Sequence, residues 1–150
     1  MKLYTEVQQH CEVRQFPGVE HVSLWADAAF SSVATENAEV TIRVVGLKEG
    51  AELNRKYRKG MGATNVLSFA YAQDPFAPRK LLGDIVICAP VVHREALAQN
   101  KPSNAHWAHM VVHGILHLCG YDHVDETDAQ TMEQLETEIL FRLGFPEPYN

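Results

Sequence analysis

Three histidines near the end of the chain have the residue type and the spacing of metal ligands. They are His113, His117 and His123, in the segment HGILHLCGYDH. Because four residues on an α-helix turn about 400°, His113 and His117 leave the same face, one turn apart. Gly120 can take the left-handed conformation that ends a helix, so that His123 turns back towards the other two. Three neutral imidazoles with a fourth position open are the ligand set of a catalytic zinc site.

The spacing H-x-x-x-H-x-x-G-x-x-H is that of the metzincin peptidases with one difference. Those enzymes carry a Glu directly after the first histidine, as the general base for water attack on a peptide carbonyl. Here that position is Gly114. The pattern therefore favours a metal site and argues against proteolysis. Imidazole sites also accept nickel and copper, so the spacing does not select zinc alone.

The same segment resembles the signature of the YbeY family, which are bacterial metal-dependent endoribonucleases of ribosomal RNA maturation. Each specified position of the pattern H-G-x-L-H-L-x-G-Y-D-H matches. The segments TIRVV at 41–45, TNVLSF at 64–69 and LGDIVI at 82–87 resemble further blocks of the family, in the family's order. The family often has Pro after the LSF block, whereas this chain has Ala70 and Tyr71, so the resemblance does not determine the shape of that loop.

The resemblance implies a site made of a metal and an arginine. It implies one Zn²⁺ per chain on His113, His117 and His123, with nickel or another divalent metal as an alternative. It also implies that Arg58, in the segment YRKG, is the arginine tied to RNA cleavage. A guanidinium suits that task, because its fork holds two phosphate oxygens and stabilises charge in the transition state. The expected catalytic residues are thus Arg58 and the ligand His117.

The basic run around Arg58 has a second interpretation from the residues alone. Arg55, Lys56, Arg58 and Lys59 are followed by GMG at 60–62. Cations at a helix end suit the helix dipole and are usually solvated. The glycines, however, leave room for a ligand to approach the backbone, which favours a phosphate site equally.

The resemblance also implies a substrate and partners. The substrate would be single-stranded RNA, namely ribosomal RNA including the 3′ end of the small-subunit rRNA. The roles would be rRNA maturation and ribosome quality control, with the ribosome or the small ribosomal subunit and its assembly proteins as partners. Whether the nucleophile is a metal hydroxide or the 2′-hydroxyl of the RNA stays open.

Two alternative functions stay open at this point. The first is a metzincin-like metalloprotease, in which a carboxylate such as Asp122 or Glu126 replaces the missing Glu. The second is a non-catalytic, zinc-stabilised ribosome assembly factor. Cys119 as a fourth ligand would favour the assembly factor, because closed structural zinc sites normally have four protein ligands. A small apolar core residue is the more ordinary role for that cysteine.

Length and composition indicate the number of domains, the kind of partner and the cellular location of the protein. At 150 residues the chain is expected to form one domain over 1–150. Its net charge of −6 argues against wholesale coating of nucleic acid, which basic domains favour. The three cysteines, without a C-x-x-C pair, indicate free thiols in a reducing cytoplasm. No apolar run approaches the ~20 residues that cross a membrane, and no signal core is visible, so we expect a cytoplasmic protein without a membrane partner.

Hydrophobic periodicity predicts an α/β or α+β domain, with a small mixed sheet of about four strands and packed helices. Strands are predicted at 2–7, 39–45, 64–71 and 81–88, and helices at 20–33, 48–58, 90–99, 103–119 and from 125 or 127 to 143. Ser103 is predicted to cap the helix that carries the histidines. That helix has few polar positions besides the histidines, so it is predicted to be buried and central.

Three further side chains are given positions by the pattern. Leu53 and Tyr57 are predicted to face inwards from the second helix. Asp84 is the lone charge of its strand, and it is predicted either to orient a metal-bound histidine or to make a structural hydrogen bond. The acidic face of the last helix is predicted to meet solvent.

Overall fold

The chain forms a mixed sheet with helices packed on both of its faces. The computed structural model describes residues 2–58, 60, 62–72, 74–122 and 125–149. The strands are β1 (Leu3–His10), β2 (Ala38–Val45), β3 (Val66–Ala70) and β4 (Lys80–Cys88). The helices are α1 (Val19–Val33), α2 (Leu47–Arg58), α3 (Ala89–Ala98), α4 (Ser103–Leu118) and α5 (Glu126–Arg142). The predicted α+β class and the predicted order of elements are confirmed.

The strands pair in the order β1-β2-β4-β3. β1, β2 and β4 run parallel to one another, and β3 pairs with β4 antiparallel at one edge. The register between β2 and β4 shifts at Glu39/Val40, where Leu81 pairs with Glu39 and Gly83 pairs with Val40. The four-stranded mixed sheet is therefore as the periodicity predicts.

Side chains of β4 alternate between two apolar clusters, one on each face of the sheet. Ile85 and Ile87 belong to the main core, which α1, α4 and α5 cover. Val86 and Cys88 belong to a smaller cluster, against which Leu53 of α2 packs. Because successive strand residues point to opposite faces, the sheet separates what α4 can contact from what α2 can contact.

Helix α4 is buried along most of its length, which confirms its predicted central position. Its end is a Schellman motif. Gly120 has a φ of +102°, and its N–H donates to the carbonyl of His117 at 3.1 Å. The N–H of Tyr121 donates to the carbonyl of Leu116, also at 3.1 Å. The predicted left-handed glycine is therefore confirmed.

Two local predictions are wrong. Tyr57 is 53% exposed and is not a core residue, because its ring lies at the open rim of a cavity on the sheet, where it meets Phe69 edge to face. Ser103 is the first residue of α4 and makes no side-chain cap, since Pro102 holds the capping position. None of the helices within the described ranges is both long and apolar enough to cross a membrane.

Candidate active site

Four histidines follow one another along one side of α4. His106, His109, His113 and His117 have neighbouring ring centroids 6.3, 6.4 and 6.4 Å apart. His106 pairs with Glu95 of α3, with Nε2 and Oε1 2.9 Å apart. The other three imidazoles continue towards the C-terminal end of the helix. A row of this kind follows from the spacings of three and four residues on a helix.

The two predicted helical ligands lie side by side. The rings of His113 and His117 are nearly parallel, with an interplanar angle of 14° and a centroid distance of 6.4 Å. The third predicted ligand, His123, lies outside the described residues. Within the described part of the chain, no group of three or more His, Cys, Asp or Glu side chains is placed to hold a metal. The structure thus brings two of the predicted ligands together, and the full ligand set stays a prediction.

Glu136 of α5 reaches this row of histidines from the side. Its Oε1 lies 3.0 Å from Nδ1 of His113, and its Oε2 lies 2.5 Å from Nε2 of His109. The hydroxyl of Tyr149 donates to Oε2 at 2.7 Å. The side chain of Glu136 is only 1% exposed. A buried carboxylate needs such partners, because an unpaired charge in the interior is costly.

The histidines keep Glu136 ionised. Burial alone would raise the pKa of its carboxyl, but the hydrogen bonds and charges of His109 and His113 outweigh burial and lower the pKa to about 2. Burial and the same carboxylate raise the pKa of the Tyr149 hydroxyl. An ionised carboxylate only accepts hydrogen bonds, so Nδ1 of His113 carries the proton in this pair.

That tautomer fits the requirements of a metal ligand. Histidines that bind metals usually donate their second ring N–H to a carboxylate, which fixes the ring and raises its basicity. In His113 the proton on Nδ1 makes Nε2 the nitrogen with the coordinating lone pair. The donor chemistry of His113 and His117 therefore fits Zn²⁺, with Glu136 as the orienting group.

Asp84 does not perform the orienting role that the sequence allowed for it. Its side chain lies on the face of the sheet opposite to α4, beside Thr41 and Val86. There Oδ2 of Asp84 accepts a hydrogen bond from the hydroxyl of Tyr71 at 2.6 Å. The reason is strand alternation, since Ile85 next to Asp84 is the residue of β4 that faces α4.

Arg58 lies in the same cavity as the two histidines. This cavity of about 190 Å³ is lined by Arg58, His113, His117 and the β3 residues Val66, Leu67 and Ser68. Nη2 of Arg58 donates to the carbonyl of Ser68 at 2.7 Å, and its guanidinium carbon lies 5.7 Å from the ring centroid of Phe69. The structure thus places Arg58 beside His113 and His117, two of the three predicted ligands, and Ser68 joins them.

The glycines after Arg58 have a structural reason. The side chain of Asn54, which is buried in α2, donates to the carbonyl of Gly62 at 2.9 Å. The N–H of Gly60 donates to the carbonyl of Asn54 at 3.2 Å. A Cβ on Gly60 would collide with the Asn54 side chain. Asn54 therefore fixes the chain just beyond Arg58, a role that the sequence did not reveal. Lys59 and Met61 lie outside the described residues.

Gly114 is the position at which a metzincin would carry its catalytic Glu. A Cβ there would lie 3.0 Å from Cδ1 and 3.2 Å from Cγ2 of Ile85. This is the surface on which α4 packs against the sheet, so the site offers no room for a carboxylate that could meet a substrate. Position 114 therefore does not supply a peptidase base, and the metalloprotease alternative depends on another carboxylate such as Asp122 or Glu126.

Cys119 caps the C-terminal end of α4 and packs against the main core. Burial raises the pKa of its thiol, although nearby Lys80 acts in the opposite direction. All three cysteines, Cys11, Cys88 and Cys119, are free thiols. A raised thiol pKa suits a packed core residue better than a thiolate ligand.

Two parallel imidazoles and a guanidinium around one small cavity suit the binding of a metal and a phosphate group, which is the chemistry of a nuclease. Comparison with known proteins leads to the same class. The family profile described as Endoribonuclease YbeY matches residues 4–144. Membership of this family places the chain among nucleases, the hydrolases that cut nucleic acid strands.

Relatives of similar length resemble nearly the whole chain, and each is named Endoribonuclease YbeY. The relative from Cellvibrio japonicus is 48% identical, covering 99% of this chain and 84% of its own. The relative from Nitrosomonas eutropha is 50% identical, and the match covers 95% of this chain and 96% of that relative. The relative from Methylococcus capsulatus is 51% identical, and the match covers 94% of this chain and 92% of that relative. The chain belongs to the YbeY family of endoribonucleases.

A solved structure shares the fold. A protein from Thermotoga maritima, whose structure was determined in solution, superposes with a TM-score of 0.59 at 21% identity. The match covers 95% of this chain and 91% of that protein. At this identity the likeness concerns the fold, namely the mixed sheet and its helices.

Proposed function

We propose that this member of the family is a zinc-dependent endoribonuclease that cuts single-stranded RNA in the cytoplasm. Its proposed roles are the maturation of ribosomal RNA, including the 3′ end of the small-subunit rRNA, and ribosome quality control. Its proposed partners are the ribosome or the small ribosomal subunit and its assembly proteins. The observation that supports the nuclease site best is the shared cavity of Arg58, His113 and His117.

The proposed zinc site consists of His113, His117 and His123. When bound, Zn²⁺ supplies a Lewis acid for the phosphate and lowers the pKa of a coordinated water towards ~7. The protein holds His113 for this purpose through Glu136, as the bond between Nδ1 and Oε1 indicates. Nickel or another divalent ion is the alternative occupant of a site made of imidazoles.

Arg58 is proposed to bind the phosphate that is cleaved. A guanidinium has five N–H donors, and the carbonyl of Ser68 accepts a hydrogen bond from one of its nitrogens, Nη2. That bond fixes the plane of the group beside the histidines, and the remaining donors suit two phosphate oxygens. The charge that develops on the phosphate in the transition state would be stabilised by a group already in position.

The test of this proposal is RNA cleavage by Arg58→Ala next to the parent protein. We expect the variant to keep its fold and its metal, and to lose cleavage of a single-stranded RNA by a factor of about 10² to 10³, the usual cost of removing one charge-stabilising donor. The rate of cleavage in a gel assay measures this. Zinc content and the circular dichroism spectrum confirm that the fold is intact.

A matched control is Arg142→Ala, which removes the same charge from an exposed position on α5, where the arginine pairs with Glu138 at 4.0 Å. It should cleave as the parent does. If Arg58→Ala cuts RNA at the parental rate, the arginine assignment is wrong. If neither protein cuts RNA in the presence of zinc, the assembly-factor alternative replaces the nuclease.

A further inference from the structure

A second cavity lies on the other face of the sheet from the histidines. It has a volume of about 350 Å³, and its lining includes Thr41, Leu53, Tyr57, Phe69, Asp84 and Val86. Cavities of this size, mostly apolar and with a few convergent polar groups, are typical binding sites for small molecules. The candidate active site does not use this cavity.

The two cavities are neighbours across strand β3. Ser68 lines the cavity of Arg58 and the histidines, whereas Phe69, the next residue, lines the second cavity. The ring of Phe69 lies 5.7 Å from the guanidinium carbon of Arg58. It also meets the ring of Tyr57 edge to face, with the centroids 5.3 Å apart. Arg58 therefore borders the cavity of the histidines and also lies beside this aromatic pair.

The walls of the cavity suit a flat aromatic ring. Leu53, Val86 and the two aromatic rings supply apolar surface. Nε of Arg43 donates to Oε2 of Glu49 at 2.6 Å, and its Nη1 donates to Oε1 of Gln8 at 3.1 Å. The carboxylate of Glu49 therefore compensates the charge of Arg43 within the wall of the cavity. Unpaired RNA bases are recognised in this way, by stacking on aromatic side chains and by hydrogen bonds to their polar edges.

Asp84 gives the cavity a hydrogen-bond acceptor. Its Oδ2 accepts from the hydroxyl of Tyr71, and that bond raises the pKa of Tyr71 to about 12. A carboxylate has about four lone-pair sites, so this bond leaves it able to accept from a base as well. Asp and Glu accept hydrogen bonds from the exocyclic amine of cytosine, a group that uracil does not have.

We propose that this cavity receives an unpaired nucleobase of the RNA substrate, and that Asp84 selects a base with an exocyclic amine, such as cytosine, over uracil. The inference rests on the proposed function, because the RNA strand would have its neighbouring phosphate at Arg58. Tyr57 and Phe69 would stack on the base, and Asp84 would accept its amine hydrogen.

The test is the binding of two short single-stranded oligonucleotides, oligocytidine and oligouridine. Both carry 2′-O-methyl groups, which remove the 2′-hydroxyl nucleophile, so binding is measured by fluorescence anisotropy with little interference from cleavage. The parent protein should bind oligocytidine more tightly. Asp84→Asn should remove most of that preference, because the carboxylate becomes an amide of the same shape.

Two variants test the cavity itself. Tyr57→Ala should weaken the binding of both oligonucleotides about tenfold, the usual cost of losing one stacking ring. Thr41→Phe places a large aromatic side chain in the cavity from strand β2, and strands accept aromatic residues well. This variant should weaken binding to a similar degree. The control is Tyr4→Ala. Tyr4 lies on β1 outside the cavity, with its ring centroid 3.7 Å from the guanidinium carbon of Arg79, and its loss should change binding little.

The outcomes separate this inference from the proposed nuclease. If Tyr57→Ala and Thr41→Phe are folded and bind both oligonucleotides as the parent does, the base site is wrong, even when Arg58→Ala has lost cleavage. Equal binding of oligocytidine and oligouridine by the parent, or no binding of either, also overturns it. If the cavity variants lose binding while Arg58→Ala still cleaves RNA, the base site stands and the arginine assignment fails.

Discussion

At the scale of single residues, the candidate metal site depends on a carboxylate that is not itself a predicted ligand. Glu136 accepts hydrogen bonds from His109, His113 and Tyr149 at once. It therefore connects the row of histidines on α4 to α5 and to the C-terminal segment. A group in that position acts on a metal through the orientation and basicity of His113.

The first prediction at this scale concerns metal affinity. Glu136→Gln keeps the shape of the side chain but removes the charge that orients His113. We expect the affinity for Zn²⁺ to fall 10- to 100-fold, as is usual for partners of metal-bound histidines. Competition with a coloured chelator measures the dissociation constant. An unchanged constant in a folded variant would show that Glu136 supports the core and not the metal.

The second prediction concerns acid stability. The pKa of Glu136 is lowered from its ordinary value of 4.5 to about 2 in the folded protein. The ionised carboxylate therefore adds stability that is present above pH 4.5 and is lost as the pH falls from there towards 2. The parent should be more stable than Glu136→Gln at pH 6, and the difference should shrink in that acidic window. Urea unfolding at several pH values, with a chelator present, measures it, and a constant difference would contradict the prediction.

The contrast between His113 and Glu136 shows what the sequence can predict at this scale. A spacing of four residues on a helix determines a shared face, so His113 and His117 could be paired without a structure. The contact of Glu136 depends on how α5 docks on α4, which no local pattern encodes. One signal was present. Glu136 lies four residues from both Met132 and Leu140, on the apolar stripe of α5, so a buried carboxylate could have been expected there.

At the scale of elements, strand β4 has one backbone position that only glycine accepts without strain. Gly83 has a φ of +148° at the register shift opposite Glu39/Val40. A Cβ there would collide with the carbonyl oxygen of Phe69 and would lie 2.9 Å from Cδ2 of Leu118. The close approach of β4 to β3 and Leu118 at this register shift is therefore possible only because residue 83 has no side chain.

We predict that Gly83→Ala destabilises the protein by about 2 to 4 kcal/mol, since it combines an unfavourable φ with a steric clash. Gly46→Ala is the matched control, because a Cβ at Gly46 has no neighbour within 4 Å among the described residues. The control should change stability by less than about 1 kcal/mol. Urea unfolding of the three proteins compares them, and equal stabilities would mean that β4 relaxes around the new methyl group.

The elements themselves were largely predictable, because apolar residues recur with a period of two in the strands and of three to four in the helices. Asp84 shows what this periodicity cannot predict. Alternation places it on the opposite face from Ile85, but the sequence does not say which face α4 covers. That choice follows from the order β1-β2-β4-β3 and from the crossovers, which are properties of the assembled sheet.

At the scale of the whole molecule, the two faces of the sheet differ in the size of the apolar cluster that covers them. The main core lies under α1, α4 and α5, whereas the other face carries a smaller apolar cluster and the cavity of about 350 Å³. The net charge of −6 is spread over this molecule unevenly. The last turn of α2 carries Arg55, Lys56 and Arg58, of which Arg58 lines the site, so local charge and not the sum determines where an RNA strand is attracted.

The position of Ser68 and Phe69 on an edge strand has a consequence for the shape of a substrate. Because these neighbours face opposite sides of the sheet, a nucleic acid that fills both cavities must bend sharply around the rim that β3 forms. A flexible, unpaired strand can make such a bend and turn a base outwards as it does so. A double helix is stiff and keeps its bases paired along its axis, so it would reach one cavity at most. The edge of the sheet would then act as a filter that admits RNA according to its stiffness.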